Sequence, residues 1–217
     1  MYNFDGSEKT IKGGLKKMPK TDDEKGYVDV VNGRYKPRGI FHNIEKNQPI
    51  FNKETGKLAG VTNPRDMTYI HSYGGEAIFF ESLGKGKLMA SRCDNDKCDA
   101  KGSIYEPFRI YCPDCLRKAT HVDITEKAQK TAKIHSFIIT ERSGAFNTLP
   151  KPIKFVNVEF DEEVVTILMS VLVVGEPEFG KRIVPIFRTK SPTYTIMDLM
   201  FVTEGTKESD LPDGFTF

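Results

Sequence analysis

The chain has 217 residues, a formal net charge of +2, and 38% hydrophobic against 29% charged residues. A charge so close to zero excludes a histone-like DNA binder, which needs a large excess of Lys and Arg. No run of about 18 apolar residues occurs, and no apolar segment follows Met1. We therefore expect neither a membrane span nor secretion, and a cytoplasmic protein that has no membrane partner.

The first 74 residues are predicted to form an extended N-terminal arm. Residues 1–60 carry twelve Lys and Arg against eight Asp and Glu, and they are rich in Gly, Asn and Lys. This composition offers little material for a hydrophobic core. We expect the arm to be disordered alone or laid onto a partner, and the remaining chain to fold without residues 1–60.

A short helix is predicted over residues 75–83. Ala77, Phe80 and Leu83 fall near one helix face, and Gly84 is a suitable C-terminal stop. A strand over residues 87–92 then leads to the first pair of cysteines, and residues 103–110 lead to the second pair. Residues 75–118 are thus predicted to form a helix followed by a four-cysteine ribbon.

The four cysteines are the most informative residues of the chain. Their spacing is Cys93-x4-Cys98, thirteen residues, and then Cys112-x2-Cys115. Two close pairs joined by a short hairpin can place four thiolates around one tetrahedral metal ion. Pro113 presets a turn inside the second pair. The spacing predicts a rubredoxin-like ribbon that holds a structural Zn²⁺.

Two other interpretations of the cysteines are open. The first is a pair of disulfides, although no other feature of the sequence indicates an oxidising compartment. The second is an iron site of rubredoxin type, whose pairs usually both have the two-residue spacing. In either metal site all four cysteines are ligands, so no thiol remains as a nucleophile and no catalytic residue is predicted.

A pattern that resembles a phosphate-binding loop, Gly-x4-Gly-Lys, occurs at residues 175–181. Arg182 follows it, where Mg²⁺ binding requires the hydroxyl of Ser or Thr. A strand is predicted after the pattern, where a nucleotide site requires a helix. We interpret this segment as a turn between two strands.

Six strands are predicted after the ribbon, over residues 121–125, 132–140, 153–160, 164–174, 182–189 and 194–202. Residues 161–163 are predicted to form a hairpin turn, and the loop 143–151 is long enough to bind a ligand. Short, turn-punctuated strands are typical of a small closed barrel or a sandwich. Residues 205–217 are predicted to be a C-terminal tail.

Lys181, Arg182 and Arg188 lie on neighbouring turns or strands of this region. They form either a solvated surface or a set of contacts for an anionic ligand. Residues 119–217 nevertheless carry eleven basic and fourteen acidic residues, a local net charge of −3.

The sequence resembles the zinc-ribbon/OB-fold acyl-CoA-associated family, which was long known only as a domain of unknown function. The resemblance covers roughly residues 75–204. Five segments carry it: Phe79-Phe80-x2-Leu83, Gly86-Lys87-Leu88-x3-Arg92-Cys93, Pro107-Phe108-Arg109 before Cys112-Pro113-x-Cys115, Ile134-His135-Ser136-Phe137 and Val184-Pro185-Ile186-Phe187-Arg188. The first cysteine pair departs from the common two-residue spacing, and the N-terminal arm lies outside the compact family pattern.

The resemblance implies a mainly β chain with an N-terminal arm, a short helix, a rubredoxin-like zinc ribbon ligated by Cys93, Cys98, Cys112 and Cys115, and an OB-fold barrel over residues 119–204. Members of the family are usually non-catalytic partners of thiolase-fold enzymes. The implied function is therefore a subunit of a hetero-oligomer that helps to form an acyl-CoA passage, as in assemblies of the benzoylsuccinyl-CoA thiolase kind.

A CoA thioester would be the shared ligand of this implied assembly, with Lys181, Arg182 and Arg188 as contacts for the CoA phosphates. One alternative is a single-stranded nucleic-acid binder, because ribbons and OB barrels commonly bind such strands. The acidic barrel half and the lack of an aromatic-basic stripe oppose it. Another is a rubredoxin-like electron carrier.

Overall fold

The structure is a computed structural model that describes residues 25–44, 46–69, 76–144 and 149–217. The chain forms two compact units, residues 1–71 and 72–217. Residues 1–24, 45 and 70–74 of the predicted arm, and residues 145–148 of the predicted ligand-binding loop, lie outside the described ranges. Within those ranges, no helix is both long and apolar enough to span a bilayer.

The first unit contains three small antiparallel sheets of two strands each. Its strands are β1 (Tyr27–Val31), β2 (Arg34–Arg38), β3 (His42–Ile44), β4 (Pro49–Phe51), β5 (Leu58–Val61) and β6 (Arg65–Met67), which pair as β1–β2, β3–β6 and β4–β5. Asn32 and Gly33 join the first pair with φ of +52° and +70°, the conformation of a two-residue hairpin turn. Among the described residues of this unit, no hydrophobic side chain belongs to a buried core.

The second unit begins with α1 (Ala77–Leu83) and a three-stranded sheet of β7 (Met89–Arg92), β8 (Ile104–Tyr105) and β9 (Thr120–Asp123), in the order β8-β7-β9. The predicted helix is present, but its buried side is different. Phe79 and Leu83 are buried, whereas Ala77 is exposed. The predicted Leu83 is buried and the predicted Phe80 packs partly buried against the same core. The centre of the buried face is shifted to Phe79, which stacks on Phe108 at 6.1 Å between ring centres.

Gly84 ends α1 for a reason other than the predicted one. Gly84 has φ of −64°, which any residue adopts. The left-handed residue of this turn is Gly86, with φ of +74°. A Cβ atom on Gly84 would lie 2.9 Å from Cβ of Pro192. The missing side chain therefore allows the helix end to approach the segment around Pro192 closely.

A second helix, α2 (Thr125–Thr131), follows β9 where the sequence indicated the end of a strand. The carboxylate of Asp123 accepts hydrogen bonds from the Thr125 amide at 3.0 Å and from its hydroxyl at 2.6 Å. This is a turn in which an Asp side chain holds the amide two residues on, and it precedes the helix, whose N-cap Ile124 makes no side-chain capping bond. This local bond ends the strand at Asp123.

The remaining strands form a barrel of OB type. They are β10 (Lys133–Thr140), β11 (Ile153–Glu159), β12 (Leu168–Val174), β13 (Ile183–Arg188), β14 (Leu199–Thr203) and β15 (Phe215–Thr216), in the order β10-β11-β12-β14-β13-β15. β12 and β14 run parallel, and the other pairs are antiparallel. A bridge between Lys133 and Arg182 closes β13 back onto β10. The predicted fold class, mainly β with a cysteine ribbon and an OB-type barrel, is confirmed.

Two predicted strands differ in extent from the observed ones. The strand predicted over residues 164–174 begins only at Leu168, because the residues before it pair with the ribbon sheet instead. Ile104 donates its amide to the Glu163 carbonyl at 2.9 Å, and its carbonyl accepts from Val165 at 3.0 Å. The strand predicted over residues 194–202 starts with a 3-10 helix at Ile196–Asp198.

Two hydrophobic clusters stabilise the second unit. The larger one joins α1, α2 and the ribbon sheet to the barrel interior, and it includes Leu83, Leu88, Ile134, Phe187 and Phe201. The smaller one lies on the other face of β13 and β14, and its buried members are Ile186, Met200, Val202 and Phe215. The predicted tail thus contributes Phe215, which is 6% exposed, as cover for the outer face of the barrel.

Glu106 is a charged residue whose burial the sequence does not indicate. It is fully buried, and neither carboxylate oxygen has a hydrogen-bond partner among the described residues. Burial raises the pKa of this carboxyl well above its usual range, and the nearby Phe108 amide offsets the increase only in part. The folded protein therefore retains the Glu106 proton to a higher pH than the unfolded chain does.

We predict that Glu106 makes the protein less stable as pH rises. Above the usual carboxyl pKa the unfolded chain loses this proton first, so the free energy of unfolding falls by up to about 1.4 kcal/mol per pH unit until the folded pKa is reached. Glu106→Gln should remove this slope in denaturant titrations between about pH 5 and about pH 8. The exposed Glu162→Gln should retain it, and equal slopes in both variants would contradict the assignment.

Candidate metal centre

Four cysteine sulfur atoms converge at the tip of the ribbon. All four Sγ atoms lie within 4.8 Å of one another, with 3.8 Å between Cys93 and Cys115 and 4.0 Å between Cys98 and Cys112. Sulfurs that bind one tetrahedral ion at about 2.3 Å stand about 3.8 Å apart, whereas a disulfide needs about 2.05 Å. The four thiols are free. The arrangement could hold a metal ion, and it disfavours the two disulfides.

The first pair is positioned by a turn directly after β7. The Cys93 amide donates to the Ser103 carbonyl at 3.1 Å, and the Gly102 amide donates to the Cys93 carbonyl at 2.7 Å. The Cys98 amide closes the turn on the Asn95 carbonyl at 3.0 Å. The longer spacing of this pair thus still brings both thiols to one point.

The second pair is positioned by a tight loop. The Cys112 amide donates to the Arg117 carbonyl at 2.9 Å, and the Leu116 amide donates to the Cys112 carbonyl at 3.0 Å. Leu116 has φ of +57° and is 75% exposed. Leucine rarely adopts a left-handed backbone conformation, yet Leu116 occupies the left-handed position that closes this loop.

Two polar side chains beside the cysteines were missed by the sequence reasoning. Tyr105 is 5% exposed, donates its hydroxyl to Asp114 at 2.8 Å and lies 4.0 Å from Cys112 Sγ. The fully buried Ser91 hydroxyl accepts the Arg109 amide and donates to the Arg109 carbonyl, both at 2.6 Å. These contacts hold the second pair against β7 and β8, and no spacing pattern in the sequence indicates them.

The thiols differ in how readily they lose a proton. A hydrogen bond from the Asn95 side chain, supported by the Arg117 amide, lowers the pKa of Cys115 to about 6. Burial raises the pKa of Cys98 to about 12. Cys115 is therefore mostly thiolate at neutral pH, whereas Cys98 requires the charge of a bound cation to become one.

The predicted basic residues do not come together. Lys181 and Arg182 precede β13, whereas Arg188 is its last residue. Lys181 pairs with Glu178 at 2.6 Å. Arg182 donates to the carbonyls of Ala132 at 2.6 Å and Gln129 at 2.9 Å, so it caps the C-terminal end of α2.

Cys112→Ser should release the metal and destabilise the protein, because metal binding in such sites supplies folding free energy. We expect metal content well below one ion per chain and a Tm lower by at least about 5 °C, measured by elemental analysis and thermal melting. Tyr105→Phe, which removes only the hydroxyl contact with Asp114, should keep its metal. An unchanged metal content in Cys112→Ser would contradict the ligand set.

Leu116→Gly should leave the metal content unchanged and raise stability by up to about 1 kcal/mol. It removes the left-handed strain of a branched side chain, and the greater freedom of glycine in the unfolded chain offsets part of the gain. Leu116→Val should instead lower the Tm of the metal-loaded protein, because β-branched residues tolerate this conformation poorly. Equal losses in both variants would show that the loop is not strained here.

No family model and no curated protein matches this chain. Two solved structures are similar to part of it. A protein of unknown function from the DUF35 family of Sulfolobus solfataricus is 25% identical, with a TM-score of 0.43 over 62% of this chain and 90% of its own. The Ltp2–ChsH2(DUF35) aldolase is 21% identical, with a TM-score of 0.45 over 62% of this chain and 96% of its own. Both structural neighbours are thus DUF35 proteins.

Proposed function

We propose that this chain is a zinc-binding, non-catalytic subunit of an acyl-CoA enzyme whose catalytic subunit has the thiolase fold. Cys93, Cys98, Cys112 and Cys115 are the zinc ligands. The four sulfur atoms use every position of a tetrahedral ion, so a bound Zn²⁺ fixes the two loops and offers no site for water or substrate. The four-residue spacing of the first pair favours zinc over a rubredoxin-type iron.

The cysteine cluster also supports the non-catalytic role. Thiolase chemistry needs a cysteine nucleophile with acid–base groups beside it. All four cysteines of this chain lie in the cluster. The nucleophile of the proposed reaction therefore belongs to the partner. Four reduced thiols fit a cytoplasmic location.

The observation that carries the proposed assembly is the exposed apolar surface of the first unit. Residues 25–69 expose eleven large hydrophobic side chains: Tyr27, Val30, Val31, Tyr35, Ile40, Ile50, Phe51, Leu58, Val61, Met67 and Tyr69. Strand pairs with so much exposed apolar surface and no buried core gain most of their stability from burial elsewhere. A large partner that this unit contacts provides that burial.

The identity of the partner and of the ligand rests on the sequence resemblance. In the proposed assembly the barrel borders the passage for the CoA thioester. Lys181 and Arg182 make their hydrogen bonds within this chain, which leaves Arg188 as the predicted basic residue with unused donors.

We predict that the tagged chain, purified under native conditions from its source cell, brings down a thiolase-fold protein in near-stoichiometric amount. Mass spectrometry of the eluate checks this. Recovery of the chain alone would contradict the proposal. Recovery with nuclease-sensitive nucleic acid would favour the single-strand binder instead.

The first unit should carry much of this binding. Replacing Phe51, Leu58 and Val61 together by Ser removes exposed apolar surface from the β4–β5 pair, so the recovered partner should fall by about tenfold or more. Phe179→Ser, a still more exposed position at 74% in the second unit, serves as the control and should recover the partner normally. Loss in the control alone would place the interface on the barrel.

A further inference from the structure

The outer face of the barrel carries a cavity that shares only Arg188 with the residues named in the proposed function. It measures about 350 Å³ and lies between strands β11, β12 and β14 and the C-terminal segment. Ile153, Val171 and Met200 form its floor, and Pro212 and Phe215 form part of its wall. The size is within the range of small-molecule sites, which start at about 300 Å³.

The cavity is held open by regular structure. Its floor consists of paired strands, and its wall is fixed where Phe215 pairs with Arg188 and Thr216 pairs with Phe187. Gly214 has φ of +84°, and a Cβ atom there would lie 3.1 Å from the Lys190 carbonyl oxygen. A glycine is thus required to lead the chain into β15, which keeps the C-terminal segment over the cavity without filling it.

The charges of the lining are all of one sign. Lys151, Lys154 and Arg188 border the cavity, and among the described residues no Asp or Glu does. Lys154 is already bound to the Gly175 carbonyl at 2.8 Å and to Glu176 at 2.7 Å. Lys151 is exposed to solvent, whereas Arg188 is partly buried. Arg188 is therefore the cation of this lining whose charge is least screened by water.

Arg188 is placed precisely but its donors are largely unused. Its guanidinium lies 4.6 Å from the centre of the Phe215 ring, and its buried Nε has no hydrogen-bond partner within the described part of the chain. The nearest carboxylate, Asp198, is 3.8 Å from Nε. Asp198 already accepts bonds of 2.7–2.9 Å from the Thr193 amide and hydroxyl and the Tyr194 amide.

We propose that this cavity binds a small apolar carboxylate, with its chain on the floor and its carboxylate on Arg188. An apolar floor with one guanidinium at its edge matches an amphipathic anion, because the guanidinium fork suits a carboxylate and the floor replaces water around the chain. A nucleotide would also need polar side chains for its base, and apart from its three cations this lining consists of apolar residues. The proposal does not depend on the identity of the partner subunit.

The test is a calorimetric titration of the full-length, metal-loaded protein with octanoate and with octanol. Octanoate should bind, and Arg188→Met should weaken it by about tenfold or more while leaving octanol binding unchanged. Lys190→Met removes a neighbouring exposed cation that does not line the cavity, and it should change neither affinity. No octanoate binding, or equal binding to Arg188→Met, would overturn the proposal.

Two further measurements test the cavity independently of Arg188 and distinguish it from a CoA-phosphate site. Val173→Phe fills the cavity from β12 and should weaken the binding of both octanoate and octanol. This variant keeps the proposal testable if Arg188→Met does not fold. Free CoA should not displace octanoate. Displacement by CoA that is lost in Arg188→Met would assign Arg188 to the CoA phosphates and refute the carboxylate site.

Discussion

The four sulfur atoms converge between two loops that are otherwise held together by a few hydrogen bonds and little apolar surface. The buried cluster at the ribbon tip consists of Cys93, Cys98, Cys112 and Tyr105, with Ala100 and Cys115 at its border. So few apolar side chains cannot offset the conformational entropy of ordering both loops. In the proposed metal site, bonds to an ion supply this energy, as in other small metal-dependent folds. The position of Tyr105 and the shape of the second loop would then depend on those bonds.

The ribbon in turn supports the barrel. Ile104 pairs with the chain around Glu163 and Val165, and the Thr166 hydroxyl bonds to both the amide and the carbonyl of Glu106 at 2.7 Å. The same segment leads directly into β12 at the centre of the barrel sheet. Loss of order at the cysteines would therefore reach the barrel through this junction. The buried carboxyl of Glu106, which has no hydrogen-bond partner among the described residues, lies at the same junction. The stability of the junction therefore also depends on whether this carboxyl is protonated.

Much of this architecture could be predicted because its signals are local. Cysteine spacing indicated the cluster of four thiols, and alternation or apolar runs indicated most barrel strands. The helix α2 escaped detection because Thr125–Thr131 has only one buried residue, Ala128, and so no apolar period. The hairpin at Asn32-Gly33 did have a signal, since Asn-Gly is a favoured hairpin turn. The composition of residues 1–60, rich in Gly, Asn and Lys, indicated an extended arm instead.

Other features arise only from packing between distant segments and leave no trace in the sequence. From the sequence alone, Glu106 is expected at the surface, but the fold buries it completely. From the sequence alone, Arg182 is expected to be a free cation. In the structure it donates to the Gln129 carbonyl at the end of α2, a helix that the sequence did not indicate. The sequence indicated a tail over residues 205–217 because β15, which pairs with β13, has only two residues and no apolar alternation marks it.

The pairing of Ile104 with the chain before β12 also has a consequence for the order of folding. The hairpin of β7 and β8 closes through pairs near in sequence, such as Arg92 with Ile104, whereas barrel closure brings Lys133 to the distant Arg182. Local loops close faster than distant ones because less chain entropy is lost. The β7–β8 hairpin is thus expected to form early and to act as a template, with the edge of Ile104 selecting the register of the segment that starts the central barrel strand.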